Sequence, residues 1–470
     1  MQSVKSQLTN QLPDAFVGQM NDLLGVSEAD ALFEALGQTS PTSVRLNPGK
    51  QAAPSGFPDS SPVPWCADGL YLAKRPAFTL DPLFHAGTYY VQEASSMFLA
   101  HVLHQFIQKP AVALDLCAAP GGKSTLTLAH LPEGSLLVAN EAIRQRAYIL
   151  AENLTKWGNP NIIVTNNYAE DFQPLGAVFD LIICDAPCSG EGMFRKDPDS
   201  ISQWSMANVE TCWKRQRDIV ANAWPCLRPG GLFIYSTCTY NTAEDELMAE
   251  WIAKELDAEP LDCQAPADWH ITGNLLRGSN LPVYRFLPHR TCGEGFFLCA
   301  FRKREDDDNC APAAKLRKEK TRGNRQAPAV PKELHTYLTD SASFLFSANR
   351  DGTIFTAFPK NYQALYEAAQ QQLNVLHAGV QLAELKGKNK IQPSHSLALS
   401  NNLNSSTFEK SEIDKETALA YLRCESITLP SDIAHGYVLV CYEGHPLGFV
   451  NNLGSRANNL YPHEWRIKRK

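Results

Sequence analysis

The sequence predicts an α/β fold with a mainly parallel sheet, a helical N-terminal extension and a small β-rich C-terminal domain. The central prediction comes from residues 110–301, where short apolar runs alternate with segments of helical period. This alternation is typical of parallel strands with helices packed on both faces of the sheet. The 470 residues correspond to about three domains.

Five apolar runs in the central region have the length of a buried strand and lie between turn-forming residues. Two of the intervening segments have a clear helical period, Ile143–Trp157 and Met206–Leu227. The predicted strands are Val112–Leu116, Leu136–Ala139, Ile162–Thr165, Leu181–Cys184 and Leu232–Tyr235.

The regions before and after this sheet have different patterns. The first 40 residues predict helices, with a capping box at Ser27–Asp30 and a helix end at Gly37. Proline, glycine and serine crowd residues 48–65 and predict an irregular connection. After the sheet, the charge runs and prolines of Arg302–Lys332 predict a solvated, protease-sensitive linker.

The last part of the chain contains weaker strand signals. Tyr437–Tyr442 and Leu447–Val450 predict a β-hairpin. The predicted division of the chain is an N-terminal extension (1–105), the α/β domain (106–303), a charged linker (304–332), an intermediate region (333–390) and a β-rich domain (391–470).

The composition excludes several classes of protein. No apolar run approaches the ~20 residues of a membrane span, and the first residues lack the apolar core of a signal peptide, so we expect a cytoplasmic protein with no membrane contact. Thirteen cysteines without a CxxC pair argue against a zinc ribbon, and we expect no metal. With 43 basic and 50 acidic residues, the net charge of −7 excludes a polycation but allows a local basic surface.

The turn after the first predicted strand, Asp115–Thr125, carries two adjacent glycines before a helix. Small residues there let backbone N–H groups approach a ligand at the helix N-terminus. A P-loop needs glycine where Cys117 stands, and the GxGxxG pattern of dinucleotide sites is absent. An adenosine cofactor without phosphates, such as S-adenosylmethionine, fits, and Glu141 after the second strand can accept its ribose hydroxyls. A tight turn with no ligand is the alternative.

Two cysteines follow the ends of neighbouring strands, where ligands bind in open α/β sheets. Cys188 and Cys238 are each flanked by small polar residues. One such cysteine alone is usually an inert buried thiol, but a pair suits methylation of a pyrimidine at C5. A thiolate that adds to C6 makes C5 nucleophilic, and loss of the C5 proton then eliminates the thiol. Asp185 is placed to act as the acid that stabilises charge at N3.

With these motifs the sequence resembles the NOL1/NOP2/Sun family of RNA (cytosine-C5) methyltransferases. The resemblance covers roughly residues 40–303. The C-terminal region and residues 195–198 are most similar to bacterial members that modify a cytosine of 16S ribosomal RNA near the decoding site. The matching segments are 43–47, 89–96, 115–123, 185–192, 235–239, 285–290 and 294–303.

The resemblance implies a Rossmann-like class I methyltransferase fold, a PUA-like RNA-binding ending, S-adenosylmethionine as cofactor and 16S rRNA in the small ribosomal subunit as partner. It implies that Cys238 is the nucleophile and that Cys188 assists product release. The implied cofactor-binding residues are Cys117, Ala118, Ala119, Pro120, Gly121, Gly122, Lys123, Glu141 and Asp185.

One position departs from the family pattern. An aspartate commonly follows the third strand, but Tyr168 stands at the matching position of this chain. The sequence does not decide whether Asn167 or a backbone group takes its place.

Because the net charge is negative, RNA must bind at local basic patches. The candidates are Lys214–Arg217, Arg195 with Lys196, Lys315–Arg325 and Trp465–Lys470. Phe194, Trp204 and Tyr240 are candidate walls of a base pocket, with ordinary core packing as the alternative.

Three other functions stay open on the sequence. They are C5 methylation of a different RNA, methylation of an amino group, which needs no cysteine, and RNA binding by a non-catalytic ribosome-assembly protein.

Overall fold

The computed structural model describes residues 12–50, 56–313, 329–387 and 390–468. Within these ranges, no helix combines the length and apolar character needed to cross a bilayer. The helices are α1 (Asp14–Leu24), α2 (Val26–Leu36), α3 (Pro82–His85), α4 (Phe98–Phe106), α5 (Gly122–His130), α6 (Arg144–Trp157), α7 (Pro198–Gln203), α8 (Met206–Ala223), α9 (Glu246–Glu255), α10 (Gln363–Gln372), α11 (His395–Leu399) and α12 (Lys415–Leu422).

The strands form four sheets within the described residues. In chain order they are β1 (Thr42–Leu46), β2 (Ser60–Val63), β3 (Cys66–Leu72), β4 (Tyr89–Val91), β5 (Val112–Asp115), β6 (Leu136–Asn140), β7 (Ile162–Thr165), β8 (Phe179–Asp185), β9 (Leu227–Thr237), β10 (Glu259–Leu261), β11 (Tyr284–Phe286), β12 (Phe296–Arg302), β13 (Phe344–Ala348), β14 (Ile354–Pro359), β15 (Val375–Ala378), β16 (Val380–Lys386), β17 (Lys390–Pro393), β18 (Glu409–Glu412), β19 (Gly436–Tyr442), β20 (His445–Asn452) and β21 (Ala457–Asn459).

The central sheet has the order β10-β12-β9-β8-β5-β6-β7-β15, with β11 also paired to β12. The five strands predicted from the sequence, β5 to β9, are parallel to one another. The added strands β10, β11, β12 and β15 are antiparallel. From β5 the chain runs to β6 and β7 on one side and returns to β8 and β9 on the other. A crevice therefore opens beyond the carboxyl ends of β5 and β8, where open α/β sheets bind ligands.

Helices cover both faces of this sheet, which confirms the predicted α/β class. On one face, Leu103 of α4, Leu126 of α5 and Leu150 of α6 belong to a fully buried cluster. On the other face, Val220 of α8 and Ile252 of α9 do the same. Because helices bury both faces of the sheet, β5 to β7 are continuous apolar runs and do not alternate between apolar and polar residues.

The N-terminal extension packs two helices and a four-stranded antiparallel sheet, β2-β3-β1-β4, against the α/β domain. The predicted capping box at Ser27–Asp30 is wrong. The helix α2 begins at Val26, directly after Gly25 with φ of +81°, and no side chain caps it. Residues with a side chain disfavour this backbone conformation, so glycine separates the two helices. Ser27, the predicted capping residue, lies inside α2. The predicted helix end at Gly37 is confirmed.

The prediction of an irregular connection over residues 48–65 is wrong in part. Ser60–Val63 forms β2, which pairs with β3 in spite of Pro62. Since β2 lies at the edge of its sheet, the missing N–H of proline is tolerated there.

The predicted linker also needs correction where the structure describes it. Lys303 is fully buried, and its Nζ donates to the carbonyl oxygens of Trp224 and Leu227 at 3.2 and 3.1 Å. Ala311 is buried and donates its N–H to the carbonyl of Pro225 at 2.8 Å. Residues 303–313 therefore pack on the α/β domain, while 314–328 lie outside the described residues.

The C-terminal third contains two small sheets, β13-β14-β16-β17 and β18-β19-β20-β21. The predicted hairpin is confirmed as β19 and β20, joined by Glu443 and Gly444 with positive φ at both positions, as a two-residue turn requires. The boundary predicted at residue 390 is wrong, because β17 begins there and pairs with β16. In addition, β15 extends the central sheet through β7.

Candidate functional site

The residues predicted for the site meet at the carboxyl edge of the central sheet. The glycine-rich turn follows β5, Glu141 follows β6, Asp185 ends β8 and Cys238 directly follows β9. These strands are apolar and mostly buried, so their register is fixed and the residue after each end has a defined place. The sheet thus gathers side chains that are far apart in the sequence.

The two cysteines lie side by side. Cys188 Sγ and Cys238 Sγ are 3.3 Å apart as free thiols in hydrogen-bond contact. The hydrogen bond with Cys238 and burial raise the pKa of the Cys188 thiol, and the Glu244 carboxylate adds to the effect. Cys188 is therefore a protonated thiol beside the sulfur of Cys238 when no substrate is bound.

The Glu191 carboxylate ties the two cysteine-bearing loops together. It is fully buried, and its Oε2 accepts hydrogen bonds from Thr239 Oγ1, Tyr240 N and Asn241 N at 2.7, 2.7 and 2.8 Å. Its Oε1 accepts from the Gln19 amide of α1 at 3.2 Å. A buried carboxylate with this many donors fixes both loops, because losing any donor leaves charge unpaired.

A second buried carboxylate, Glu244, supports the same loops. Its Oε2 accepts from Ser189 N at 2.9 Å and Gln216 Nε2 at 2.7 Å, and its Oε1 accepts from Asn241 Nδ2 at 2.8 Å. Burial raises the pKa of Glu244, although the hydrogen bonds from Ser189 and Asn241 act against that rise. The hydroxyls of Ser189 and Thr239, 3.1 Å apart, join the network directly.

Gly192 lets the two loops approach at their closest point. Its N–H donates to the Cys238 carbonyl at 2.9 Å. A Cβ at this position would lie 2.8 Å from Cys238 O and 2.9 Å from Gly295 O, closer than real Cβ contacts. Only glycine therefore fits beside the backbone of Cys238.

An ion pair stands next to the thiols. Lys123 Nζ lies 2.8 Å from Asp185 Oδ2, and Ser236 Oγ donates to Asp185 Oδ1 at 2.8 Å. Burial acts to lower the pKa of Lys123, but the Asp185 carboxylate and then Cys238 outweigh it and leave that pKa above its usual value. Lys123 is therefore a stable ammonium close to Cys238.

The glycine-rich turn has the shape that the sequence predicted. Gly121 has φ of +114° and immediately precedes α5, which begins at Gly122. Ala118 N donates to the Asn140 carbonyl at 2.8 Å, so the turn is fixed to the end of β6. Pro120, between Ala119 and Gly121, is exposed at the tip.

The Cys117 side chain points away from this surface. A hydrogen bond with Cys184, followed by burial, raises the pKa of the Cys117 thiol. Below it, burial raises the pKa of Asp115 to about 7, although Ser124 Oγ donates to its carboxylate at 2.6 Å. These side chains support the turn from the core, so a cofactor would meet the backbone of Cys117 rather than its thiol.

The end of β6 offers a carboxylate for a ribose. Glu141 Oε1 accepts from Ile143 N at 2.9 Å, while Oε2 receives no hydrogen bond of good geometry from the described residues. Arg146 Nη1 lies 3.2 Å from this oxygen, and Nη2 donates to the Ala119 carbonyl at 2.8 Å. The Arg146 side chain is half exposed. An acceptor in need of a donor, covered by a displaceable cation, fits a ribose hydroxyl of S-adenosylmethionine.

The side chains of Tyr168 and Asn167, at the place of the family's third aspartate, are exposed or already hydrogen-bonded. Tyr168 is an exposed residue. The Asn167 side chain is already used, because its Nδ2 donates to Asp171 at 3.1 Å and its Oδ1 accepts from Asn374 N at 2.9 Å. Asn167 therefore fixes β7 to the loop before β15.

Most residues of two sets predicted to meet RNA are buried instead. The Arg195 side chain is buried, with Nε 2.9 Å from Glu294 and Nη1 donating to the Ala35 carbonyl at 3.3 Å, so it is a structural residue, whereas its neighbour Lys196 is exposed. The aromatic pocket walls, Phe194, Trp204 and Tyr240, are buried core around Phe16.

Of the other basic patches, Lys214 is exposed and pairs with Glu210. The patch at Lys315–Arg325 lies outside the described residues. In the C-terminal patch, the Lys156 Nζ lies 5.3 Å from the centroid of the Trp465 ring.

The described side chains contain no group of three or more His, Cys, Asp or Glu arranged to hold a metal ion.

Comparison with known proteins shows the family of this chain. A family model described as "16S rRNA methyltransferase RsmB/F" matches residues 104–302, and models of the RsmF N-terminal domain and RsmF PUA domain match 12–94 and 408–467. Ribosomal RNA small subunit methyltransferase F of Enterobacter sp. (strain 638) is 30% identical over 96% of this chain and 95% of that protein. The chain belongs to this methyltransferase F family. It is therefore an S-adenosylmethionine-dependent RNA methyltransferase with a PUA-like C-terminal domain.

Other relatives support the same family and fold. The methyltransferase F of Erwinia tasmaniensis is also 30% identical, over 96% of each chain. A methyltransferase homologue from Pyrococcus horikoshii is 25% identical, with a TM-score of 0.55 over 64% of this chain and 99% of that one. NSun6 from the same organism, solved with SFG, shares the fold at 20% identity and a TM-score of 0.53, over 63% of this chain and 99% of that one.

Sequence reasoning missed the residues that hold the site together. Glu191 and Gly192 lie inside a segment that carried the family resemblance, but their partners at 239–241 and 295 become visible only in the fold. Arg146 gave no signal beyond its place in a helix. An acidic residue between two glycines in a loop of small residues was the one available sign for Glu191.

We expect Gly192→Ala to disable the site with a modest loss of stability. The new methyl group must displace the Cys238 carbonyl, and a shift of about 1 Å can cost 10²-fold in rate. Methyl incorporation into ribosomal RNA and the thermal midpoint measure the two effects. Gly273→Ala is the matched control, because a Cβ there meets nothing within 4 Å. Full activity in Gly192→Ala would contradict the close approach.

Proposed function

We propose that the chain transfers a methyl group from S-adenosylmethionine to C5 of a cytosine in 16S rRNA near the decoding site of the small ribosomal subunit. The observation that carries the proposal is the contact of Cys188 and Cys238 at 3.3 Å, at the ends of adjacent parallel strands. Methylation of an amino group gives no reason for two thiols at the cofactor edge. The relatives' names support the 16S target, since they describe enzymes of the small-subunit RNA.

The proposed reaction begins at Cys238. Its thiolate forms a bond to C6 of the flipped-out cytosine, and the C5–C6 π electrons move into the ring to give a nucleophilic enamine. Lys123 pairs with Asp185 beside this sulfur. Asp185 is our candidate for the acid that stabilises charge at N3, with the Lys123 ammonium as the source of the proton that its carboxylate passes on. Bound S-adenosylmethionine would supply a methyl group on a sulfonium whose C–S bond breaks as C5 attacks, with S-adenosylhomocysteine as the leaving group.

Product release falls to Cys188. After methyl transfer the C5 proton must leave, the C5–C6 double bond must re-form and the Cys238–C6 bond must break. Contact with Cys238 is the largest cause of the raised pKa of the Cys188 thiol. Once Cys238 is bonded to C6 that cause is removed, so the Cys188 thiol gives up its proton more readily and its thiolate is available to take the proton from C5.

The proposed cofactor site consists of the turn Cys117–Lys123, Glu141 and Asp185. The turn presents backbone at the N-terminus of α5, and Glu141 presents the acceptor described above. Arg146, whose side chain is half exposed, would leave the buried Glu141 carboxylate as a ribose hydroxyl takes its place as donor.

Replacing the Glu141 carboxylate should weaken cofactor binding. Glu141→Gln removes a charged hydrogen-bond acceptor, so we expect affinity for S-adenosylmethionine to fall about 10- to 100-fold. Calorimetry with chelator present measures it, and Glu133→Gln, at an exposed position of the same domain, is the control. Equal affinity in both variants would remove Glu141 from the site.

The two thiols should fail in different ways. Cys238→Ala should lower methylation of 16S rRNA by about 10⁴-fold or more and form no covalent adduct, because the nucleophile is gone. Cys188→Ala should accumulate a methylated protein–RNA adduct that survives denaturing electrophoresis. An adduct from Cys238→Ala alone would exchange the roles, and full activity in both variants would discard covalent catalysis in favour of amino methylation.

The target can be located in cells, where a small-subunit substrate would place the protein in the cytoplasm. Bisulfite mapping of ribosomal RNA with and without the gene should show one 5-methylcytosine near the decoding site that is lost on deletion. Complementation with Cys238→Ala should not restore it. A lost mark in a transfer RNA would redirect the proposal to another RNA, and no lost mark would favour a non-catalytic assembly role.

A further inference from the structure

A second cavity lies away from the thiols, where the α/β domain meets the C-terminal third. This cleft has a volume of about 670 Å³, which falls within the range of small-ligand sites. One wall is α6, the opposite wall is formed by β16 and β17, and residues near the chain end close it. The catalytic thiols and the glycine-rich turn do not line it.

The lining combines aromatic rings with neutral hydrogen-bonding groups. Tyr148 on α6 is 52% exposed, and Trp465 contributes a second ring. Between them lie the amides of Gln381 and Gln392 and the hydroxyl of Ser396. Rings together with amides suit a flat heteroaromatic ligand with donors and acceptors along its edge.

Charge in the cleft is largely compensated. Glu152 pairs with Lys156 and Glu384 pairs with Lys386, each at 2.5 Å. These carboxylates would repel a phosphate inside the cleft. They would not attract a cationic peptide strongly, because lysines already neutralise them. The lining therefore favours a neutral group.

The edge of the cleft differs from its interior. Arg144, one turn before Tyr148 on α6, is fully exposed, and its Cζ lies 5.9 Å from the Tyr148 ring centroid. A cation beside an exposed ring offers a place for a phosphate outside while a base enters the cleft. Glu464 at the opposite rim is exposed to water.

Two imidazoles in the wall add unused hydrogen-bonding capacity. Within the described residues, His377 Nε2 and both ring nitrogens of His395 are buried without a hydrogen-bond partner. Burial lowers the pKa of His377 to about 4 and that of His395 to about 3, so both rings are neutral. A neutral imidazole offers one hydrogen-bond donor and one acceptor. These can pair with the acceptors and donors along the edge of a nucleic-acid base.

We propose that this cleft binds one unpaired nucleoside of the RNA substrate, with its base against Tyr148 and its phosphate beside Arg144. The site would hold the RNA between the α/β domain and the C-terminal third while a different nucleotide enters the thiol site. The inference rests on the proposed RNA substrate but not on C5 chemistry.

The test compares three variants of the full chain binding a naked transcript of the decoding-site segment of 16S rRNA. Tyr148→Ala should weaken binding about 5- to 150-fold through lost stacking, with the salt dependence unchanged. Tyr148→Phe keeps the ring and should bind as the unmodified protein does. Arg144→Gln should weaken binding and reduce the salt slope by about one.

The outcomes separate the possible occupants. Unchanged affinity in Tyr148→Ala would overturn the proposal, and a loss seen only with assembled subunits would assign the cleft to a ribosomal protein. A reduced salt slope in Tyr148→Ala would indicate a phosphate site instead. Failure of C5 methylation in the unmodified protein, with the binding loss intact, would reject the proposed function and leave the cleft assignment standing.

Discussion

The Glu191 carboxylate sets the geometry on which the site depends. Moving a carboxylate from water into the protein interior costs several kcal/mol unless donors replace the lost solvation. Here the donors come from Thr239 and from the backbone of Tyr240 and Asn241. The loop after β8 therefore has only one low-energy position against the loop after β9. The distance between the two thiols is a consequence of that position.

The same carboxylate makes the N-terminal extension part of the site. Gln19 of α1 donates to Glu191, and Phe16 of the same helix packs against Phe194 and Trp204. A second buried charge cluster lies next to this one. Arg285 pairs with Asp245 and Glu246 and donates to the Tyr240 carbonyl at 2.9 Å, so it holds the loop after Cys238 from the other side.

The C-terminal third is similarly built into the catalytic domain. Its strand β15 extends the central sheet, and Asn167 fixes the loop before that strand to the end of β7. Helix α6, which begins shortly after Glu141, forms one wall of the cleft described above. If RNA binds in that cleft as proposed, this connection would present it to the thiols at a fixed distance.

The sequence by itself determined the five parallel strands, the glycine-rich turn and the place of both cysteines at one edge. These features depend on local apolar runs and on the rule that parallel strands end on the same side. Only the tertiary structure decided that Arg195 is buried against Glu294, that β15 joins the sheet and that Glu191 binds the second loop. Those contacts join residues that lie far apart in the sequence, such as Thr165 of β7 and Val375 of β15, which are 210 positions apart. Local pattern carries no information about such partners, because a buried charge is stabilised by whichever donors the completed fold brings to it.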